Sequence, residues 1–360
     1  MIISRTPFRI SFFGGGTDYP AWYAKNGGAV LATTIDKYCY LTCRYLPPFF
    51  EHRIRLIYRK IETCQTIDEI EHPVVREALR HLEINRGIEI HHDGDLPARS
   101  GMGSSSSFTV GLLHALYALK GQMPSNRQLA MESIEIEQKR LQETVGSQDQ
   151  VLAAYGGMNH IIFAQDGEIS VRPLTLSAGR LTEFNDHLML FYTGIMRTAS
   201  DIAGSYVNNL DSREHQLHSF VDMVNEGVSI LNSRRDIGAF GKLLHEAWQA
   251  KRKLSAVVSN NHVDEIYYQA MSAGATGGKL LGAGGGGFML LFVAPSKQPM
   301  VREKLSKLIH VPFKFESLGS RIIFFDQETD YSAEDSLRAN QTLQTFRDLN
   351  FTGGPASSSP

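Results

Sequence analysis

The chain has 360 residues, 42% of them hydrophobic and 21% charged, which is enough for two domains with a core each and excludes a disordered chain. Its 36 basic and 38 acidic residues leave a net charge of -2, so no global field draws in nucleic acid or an anionic membrane, and any charged ligand must be met locally. Three cysteines, Cys39, Cys43 and Cys64, cannot pair evenly and lack zinc-ligand spacing; with no signal-peptide pattern at the N-terminus, a reduced, cytoplasmic setting is expected.

In chain order, β-branched and aromatic residues predict strands over 2–13 and 29–46, and alternation predicts another over 53–58. Val74, Ala78 and Leu82 share a helical spacing within 73–85, and 87–91 reads as a strand. A helix over 104–120 carries Phe108, Leu112, Ala115 and Leu119 on one stripe, and a second helix is predicted over 126–143. Strands over 158–164 and 169–174 flank the turn Gln165-Asp166-Gly167. After a strand over 187–192 the pattern becomes mainly helical, with Leu217, Val221, Val224, Val228 and Leu231 in one stripe. Strands over 279–281 and 288–293, a helix over 300–309 and a strand over 320–325 follow. This change of texture sets a boundary near residue 185. The apolar run 288–294 is too short to span a bilayer, and the Gly/Ser/Pro-rich end, 351–360, is expected to be disordered.

Many of the 32 glycines fall in three knots, Gly14-Gly15-Gly16, 101–107 and 282–287. The second knot opens a predicted helix. Free backbone N–H groups converge at such a point and the helix dipole favours negative charge, so a phosphate can be cradled there, although a serine-capped turn reads the same way. Serine hydroxyls can cap the helix, hold a phosphate oxygen or help ligate Mg²⁺. The known nucleotide loops fail: Gly274 to Lys279 is one residue short of a P-loop, and Gly282-Ala283-Gly284-Gly285-Gly286-Gly287 leads into a strand where a dinucleotide turn must open a helix. The third knot therefore reads as a tight backbone crossing beneath a site. The first ends a strand and presents Asp18, either to sugar hydroxyls or to its own turn.

Phosphoryl transfer to an alcohol needs a metal ligand, a group that orients or deprotonates the hydroxyl, and positive charge on the phosphate oxygens. Glu137 is a candidate metal ligand or else part of a solvated face with Glu132, Glu135, Lys139 and Arg140. Asp149 follows in Val145-Gly146-Ser147-Gln148-Asp149-Gln150, where Gly146 breaks the helix and lets the carboxylate turn back toward the second knot.

Taken together, Thr6-Pro7-Phe8-Arg9-Ile10-Ser11-Phe12-Phe13-Gly14-Gly15-Gly16-Thr17-Asp18-Tyr19, then 96–107, then 280–288 resemble, in order and interval, the three motifs of the GHMP kinase superfamily. The resemblance implies an α/β (α+β) two-domain fold. Residues 1–185 would form a domain similar to ribosomal protein S5 domain 2, 186–330 a ferredoxin-like domain, and 331–360 a C-terminal extension. It also implies ATP and Mg²⁺ as cofactors. Gly101, Met102, Gly103, Ser104, Ser105 and Ser106 match the ATP-phosphate loop, and Ser105 and Glu137 match metal contacts. Asp149 matches the aspartate that orients or deprotonates the acceptor hydroxyl, Arg9 matches its basic partner, and Thr17 and Asp18 match sugar-binding positions.

Within the superfamily, the Gly-Gly-Gly-Thr-Asp-Tyr form and the run 99–107 are most similar to kinases that phosphorylate the anomeric hydroxyl of D-glycero-D-manno-heptose 7-phosphate for nucleotide-activated heptose synthesis. Galactose is not expected, because Gly15 and Gly16 stand where galactokinases carry Glu-His. The substrate's own phosphate is expected to meet Arg197 or Arg99, since a guanidinium offers it paired hydrogen bonds; an ion pair is the structural alternative for each. Expected partners are thus a sugar phosphate and ATP, with neither nucleic acid nor membrane. A kinase for an unphosphorylated, fucose-like sugar and a sensing protein without turnover remain as alternative functions.

Overall fold

A strand whose burial alternates and then becomes continuous, Ile2–Phe13 (β1), runs through the middle of the molecule, buried on both faces from Pro7 onward, with Arg9 and Ser11 among the buried residues. The computed structural model describes residues 1–50, 52–98, 100–195, 213–255, 257–327, 329 and 331–339. After β1 come helix α1 (Pro20–Asn26), strands β2 (Gly28–Tyr45), β3 (Ile54–Ile57) and β4 (Ile61–Cys64), helix α2 (Pro73–His81) and strand β5 (Ile88–Gly94). Helices α3 (Ser104–Leu119), α4 (Asn126–Ile134) and α5 (Gln148–Tyr155) precede β6 (Met158–Phe163), β7 (Ile169–Pro173) and α6 (Ala178–Asp186). The remainder is β8 (Leu188–Tyr192), α7 (Glu214–Asn232), α8 (Gly238–Arg252), α9 (Asn261–Ser272), β9 (Ala275–Leu280), β10 (Phe288–Val293), α10 (Gln298–Lys304), β11 (Ile309–His310), β12 (Phe315–Glu316), β13 (Arg321–Phe325) and α11 (Ser332–Ala339).

Two sheets result. The larger runs β13-β1-β2-β5-β3-β4, with β6 and β12 also on β2 and β7 on β6, and all its pairings are antiparallel except β3 with β5. Its spine is β2, whose length lets it hold β1 on one side and β6 then β5 in succession on the other. The smaller sheet, β11-β8-β10-β9, is antiparallel throughout and backed by α8 and α9. Residues 186–330 feed both sheets, because β12 and β13 pair with β2 and β1.

Three helices depart from their expected form; the one expected over 300–309 spans only Gln298–Lys304, and Ile309 begins a strand. Rather than one stripe, α3 buries Val110, Leu113 and Leu116 as well as Phe108, Leu112, Ala115 and Leu119, because β1 and β2 cover one side and α2, α4 and α5 the other. The helix expected over 126–143 stops being α-helical at Ile134 and continues as a π-helical turn, Glu135–Arg140, in which Leu141 N–H donates to the Ile136 carbonyl five residues back (2.9 Å). A π turn is an irregularity found often at functional sites. Phe240 on α8 joins the sheets, with ring centroids 5.4 Å from Phe12, 5.0 Å from Phe13, 4.6 Å from Phe184 and 6.3 Å from Phe292. Such offset and edge contacts are the favoured aromatic geometries.

Candidate active site

Where β1 ends, the three glycine knots converge on a cavity of about 330 Å³. Arg9, Ser11, Gly15, Gly16 and Asp18 line it from the first segment, Gly101 and Gly103 to Ser106 from the second, and Gly282 and Ala283 from the third. The second and third knots touch backbone to backbone: a Cβ on Gly101 (φ +80°) would lie 2.6 Å from the Leu281 carbonyl oxygen, and one on Gly282 would lie 2.6 Å from Gly101 Cα. Only glycine permits this approach, which agrees with the crossing expected of the third knot. Helix α3 therefore starts at the cavity wall, with Ser104, Ser105 and Ser106 in its first turn; at such an end the leading N–H groups have no intrahelical acceptor.

Arg9 and Asp149 form the best-defined pair. Arg9 Nε and Nη2 donate to Asp149 Oδ1 and Oδ2, both at 2.7 Å, while Nη1 donates to the Gly101 carbonyl at 2.7 Å. The Arg9 N–H also donates to the Met102 carbonyl (3.1 Å), so β1 and the glycine loop are held together at this residue. A bidentate fork of this kind fixes the plane of the carboxylate. Asp149 lies in the first turn of α5 and is the more exposed partner, its side chain 24% accessible against 6% for Arg9.

Asp18 is buried at the cavity edge, where Oδ1 accepts from Gly16 N–H (2.9 Å) and Oδ2 from Gln148 Nε2 (2.9 Å). Burial raises its pKa, and the charge of Asp149 adds to the effect. Two neighbours that line the cavity, Ser11 Oγ and Gln148 Oε1, are buried without a hydrogen-bond partner among the described residues. Unpaired polar atoms are costly unless something fills the space beside them. Thr17, expected at the substrate, is instead a strut. It is wholly buried, its hydroxyl lies 2.8 and 2.9 Å from the Gly14 and Ala29 carbonyls, and it accepts from Ala29 N–H at 3.2 Å. Met102 turns its side chain into the core and contributes backbone alone.

Glu137 is wholly buried, which removes the solvated-face alternative: the π turn swings it inward, under α3. Its carboxylate accepts from Ser106 Oγ (2.9 Å), Thr109 Oγ1 (2.6 Å) and Gln150 Nε2 (2.5 Å), and burial pushes its pKa up to about 7 despite these bonds. Ser106 both lines the cavity and touches Glu137, while Ser105 is the exposed serine at the rim. Among the described residues no cluster of three His, Cys, Asp or Glu side chains is arranged as a metal cage. Glu137 meets the cavity through Ser106 rather than lining it, and this carboxylate with the Ser105 and Ser106 hydroxyls is a set of hard oxygen donors of the kind Mg²⁺ takes together with water and phosphate.

Two residues escaped the sequence reading. Lys251, in the last turn of α8, and Lys279, in β9, both line the cavity and are 9% and 6% exposed. Lys251 sits on the apolar stripe Phe240, Leu244, Ala247, Trp248, and a lysine on a core stripe was the available signal. Arg99 and Arg197, expected at the substrate phosphate, lie outside the described residues.

Two family models match this chain, GHMP kinases N terminal domain over residues 71–157 and GHMP kinases C terminal over residues 229–310. The chain thus carries both GHMP kinase domains, the N-terminal and the C-terminal. It is 29% identical over 329 residues to the D-glycero-alpha-D-manno-heptose 7-phosphate kinase of Campylobacter jejuni, an alignment that covers 85% of the chain and 93% of that protein. It is 26% identical to the bifunctional fucokinase/GDP-fucose pyrophosphorylase of Arabidopsis thaliana, over 84% of the chain and 31% of that protein. A crystal structure of a D-glycero-D-manno-heptose 1-phosphate kinase from Bacteroides thetaiotaomicron has the same fold, with a TM-score of 0.74 at 24% identity over 91% of this chain and 100% of that one. The protein is accordingly a phosphotransferase with a sugar hydroxyl as acceptor, which removes the sensing-protein alternative, and GHMP kinases use ATP, generally with Mg²⁺. Among the described residues no helix is long and apolar enough to cross a membrane.

Proposed function

We propose that this protein transfers the terminal phosphoryl group of ATP to the anomeric hydroxyl of D-glycero-D-manno-heptose 7-phosphate, forming the 1,7-bisphosphate. The observation that carries the reading is the carboxylate of Asp149, clamped by Arg9 beside a glycine-serine loop at a helix N-terminus. The similarity to a heptose 7-phosphate kinase supplies the substrate class.

In this reading the backbone of Gly101, Met102 and Gly103 and the first turn of α3, Ser104 to Ser106, hold the ATP phosphates, where N–H groups and the helix dipole favour anions. Glu137 and Ser105, with Ser106 between the carboxylate and the cavity, would hold Mg²⁺, which neutralises charge on the phosphates when bound. Asp18 receives hydrogen bonds from sugar hydroxyls, and Ser11 Oγ and Gln148 Oε1 are open to the same ligand. Asp149 orients the anomeric hydroxyl. The sugar's anomeric oxygen attacks the terminal phosphorus, the bond to the bridging oxygen of ADP breaks, and Asp149 takes the hydroxyl proton late. Arg9 keeps the carboxylate plane fixed throughout. Positioning and charge neutralisation dominate such reactions, so fixed geometry matters more than basicity.

An acceptor panel scored by ADP release tests the substrate. Heptose 7-phosphate should give the highest kcat/KM; a preference for fucose or another free sugar would replace this reading with that of an unphosphorylated-sugar kinase.

A further inference from the structure

Lys251 and Lys279 reach the cavity wall from separate elements and have few polar partners there for their depth. Among the described residues each ammonium has one hydrogen-bond acceptor, the Gly282 carbonyl for Lys251 and the Phe12 carbonyl, at 2.8 Å, for Lys279. An ammonium has three donors, and among the described residues neither lysine has a carboxylate within salt-bridge distance. Burial disfavours both charges most, Arg9 adds to the effect on each and Lys251 to that on Lys279, while Asp18 offsets Lys251 in part. Buried cations without a counter-charge destabilise a fold, and apolar side chains of similar volume do better in their place. A purely structural role therefore explains these two lysines poorly, whereas a ligand that brings negative charge explains them directly.

Position narrows the ligand. The carbonyl that Lys251 grips belongs to Gly282, whose backbone packs on Gly101 in the glycine loop, and Lys279 grips β1 at the residue after Ser11. Both side chains thus border the space that also contains Asp149 and the first turn of α3. We propose that Lys251 and Lys279, with Arg9, form a receptor for a phosphoryl dianion. This inference rests on the kinase reading above, in which two phosphoryl groups enter the cavity, the terminal one of the nucleotide and the one carried by the sugar.

The test uses the full chain, Lys251→Met and Lys279→Met, with inorganic phosphate, ATP, heptose 7-phosphate and an unphosphorylated sugar as probes. Without ligand the methionine variants should melt at or above the wild-type temperature, and the rise that phosphate ligands produce in the wild type should be lost. In steady-state kinetics a sugar-borne group predicts a tenfold or larger increase in the KM for heptose 7-phosphate. A nucleotide-borne group predicts a tenfold or larger fall in kcat with phosphorylated and free sugars alike. Variants that keep both the ligand-induced rise in Tm and the wild-type kinetics overturn the inference, as do variants that melt lower with the phosphate response intact. In the wild type itself, the ¹³Cε resonances of the two lysines should move when phosphate is added; unmoved resonances overturn it regardless of how the variants fold. If the wild type releases no ADP with any sugar phosphate, the functional reading fails, while the thermal and NMR arms still decide the receptor.

Discussion

Asp149 is held by two hydrogen bonds from one guanidinium, and that guanidinium is held in turn by the glycine loop. Asp149→Asn keeps the size but removes the proton acceptor and one of the two hydrogen bonds from Arg9, so kcat should fall by about 10²–10⁴ with little change in the KM for ATP. Single-turnover ADP release measures this, and near-normal turnover would remove Asp149 from the mechanism. Lys251 provides a prediction about stability. Burial lowers its pKa from the ordinary 10.5 to about 8, so between those values the unfolded chain binds a proton that the folded chain does not. Stability from this residue therefore rises with pH across that window, and its full penalty, roughly 3 kcal/mol, applies below pH 8. Lys251→Met should be more stable than the wild type at neutral pH by up to this amount, with the gap closing as pH approaches 10.5 in denaturant titrations. A gap that does not vary with pH would contradict the assignment.

At the scale of elements, the site depends on loops brought close by glycine. A Cβ on Gly146 would lie 1.9 Å from Asp18 Oδ2, so Gly146→Ala must displace Asp18 or the loop before α5. The expected result is a tenfold or larger rise in the KM for the sugar with a smaller change in that for ATP, since the glycine-serine loop is made elsewhere; unchanged kinetics would show that Asp18 is not held by this contact. Much of this arrangement is legible in the sequence, because Gly101, Arg9, Asp18 and Asp149 fall in short motifs whose backbone requirements are local. Other parts are not. The inward turn of Glu137 arises from a π-helical irregularity that no periodicity reveals, and Thr17 resembles a ligand contact until β2 is seen to occupy its hydroxyl. Lys251 and Lys279 were missed because lysine on a helix or strand usually faces solvent.

Across the whole molecule, the cavity exists because the two sheets are locked together. Phe240 packs on rings from β1, α6 and β10, and Phe240→Ala should cost about 3–5 kcal/mol in chemical denaturation. A loss below 1 kcal/mol, on the scale of a surface substitution, would mean that the sheets are joined by other contacts. Strand content was legible from alternation and β-branched residues, but the return of β12 and β13 to the first sheet was not, since pairing between Arg321–Phe325 and the N-terminal strand leaves no local trace. That return lays Phe315–Glu316 on β2 and Arg321–Phe325 on β1, the strand that carries Arg9 and leads into the first knot. In the proposed reaction this framework directs a phosphoryl group to the anomeric oxygen of a sugar phosphate. The most direct measurement is ³¹P and ¹H NMR of the product of a single turnover with ATP and D-glycero-D-manno-heptose 7-phosphate. The expected result is one new phosphorus resonance coupled to the anomeric proton; a new phosphate on any other hydroxyl, or no product under conditions where a free sugar is phosphorylated, would contradict it.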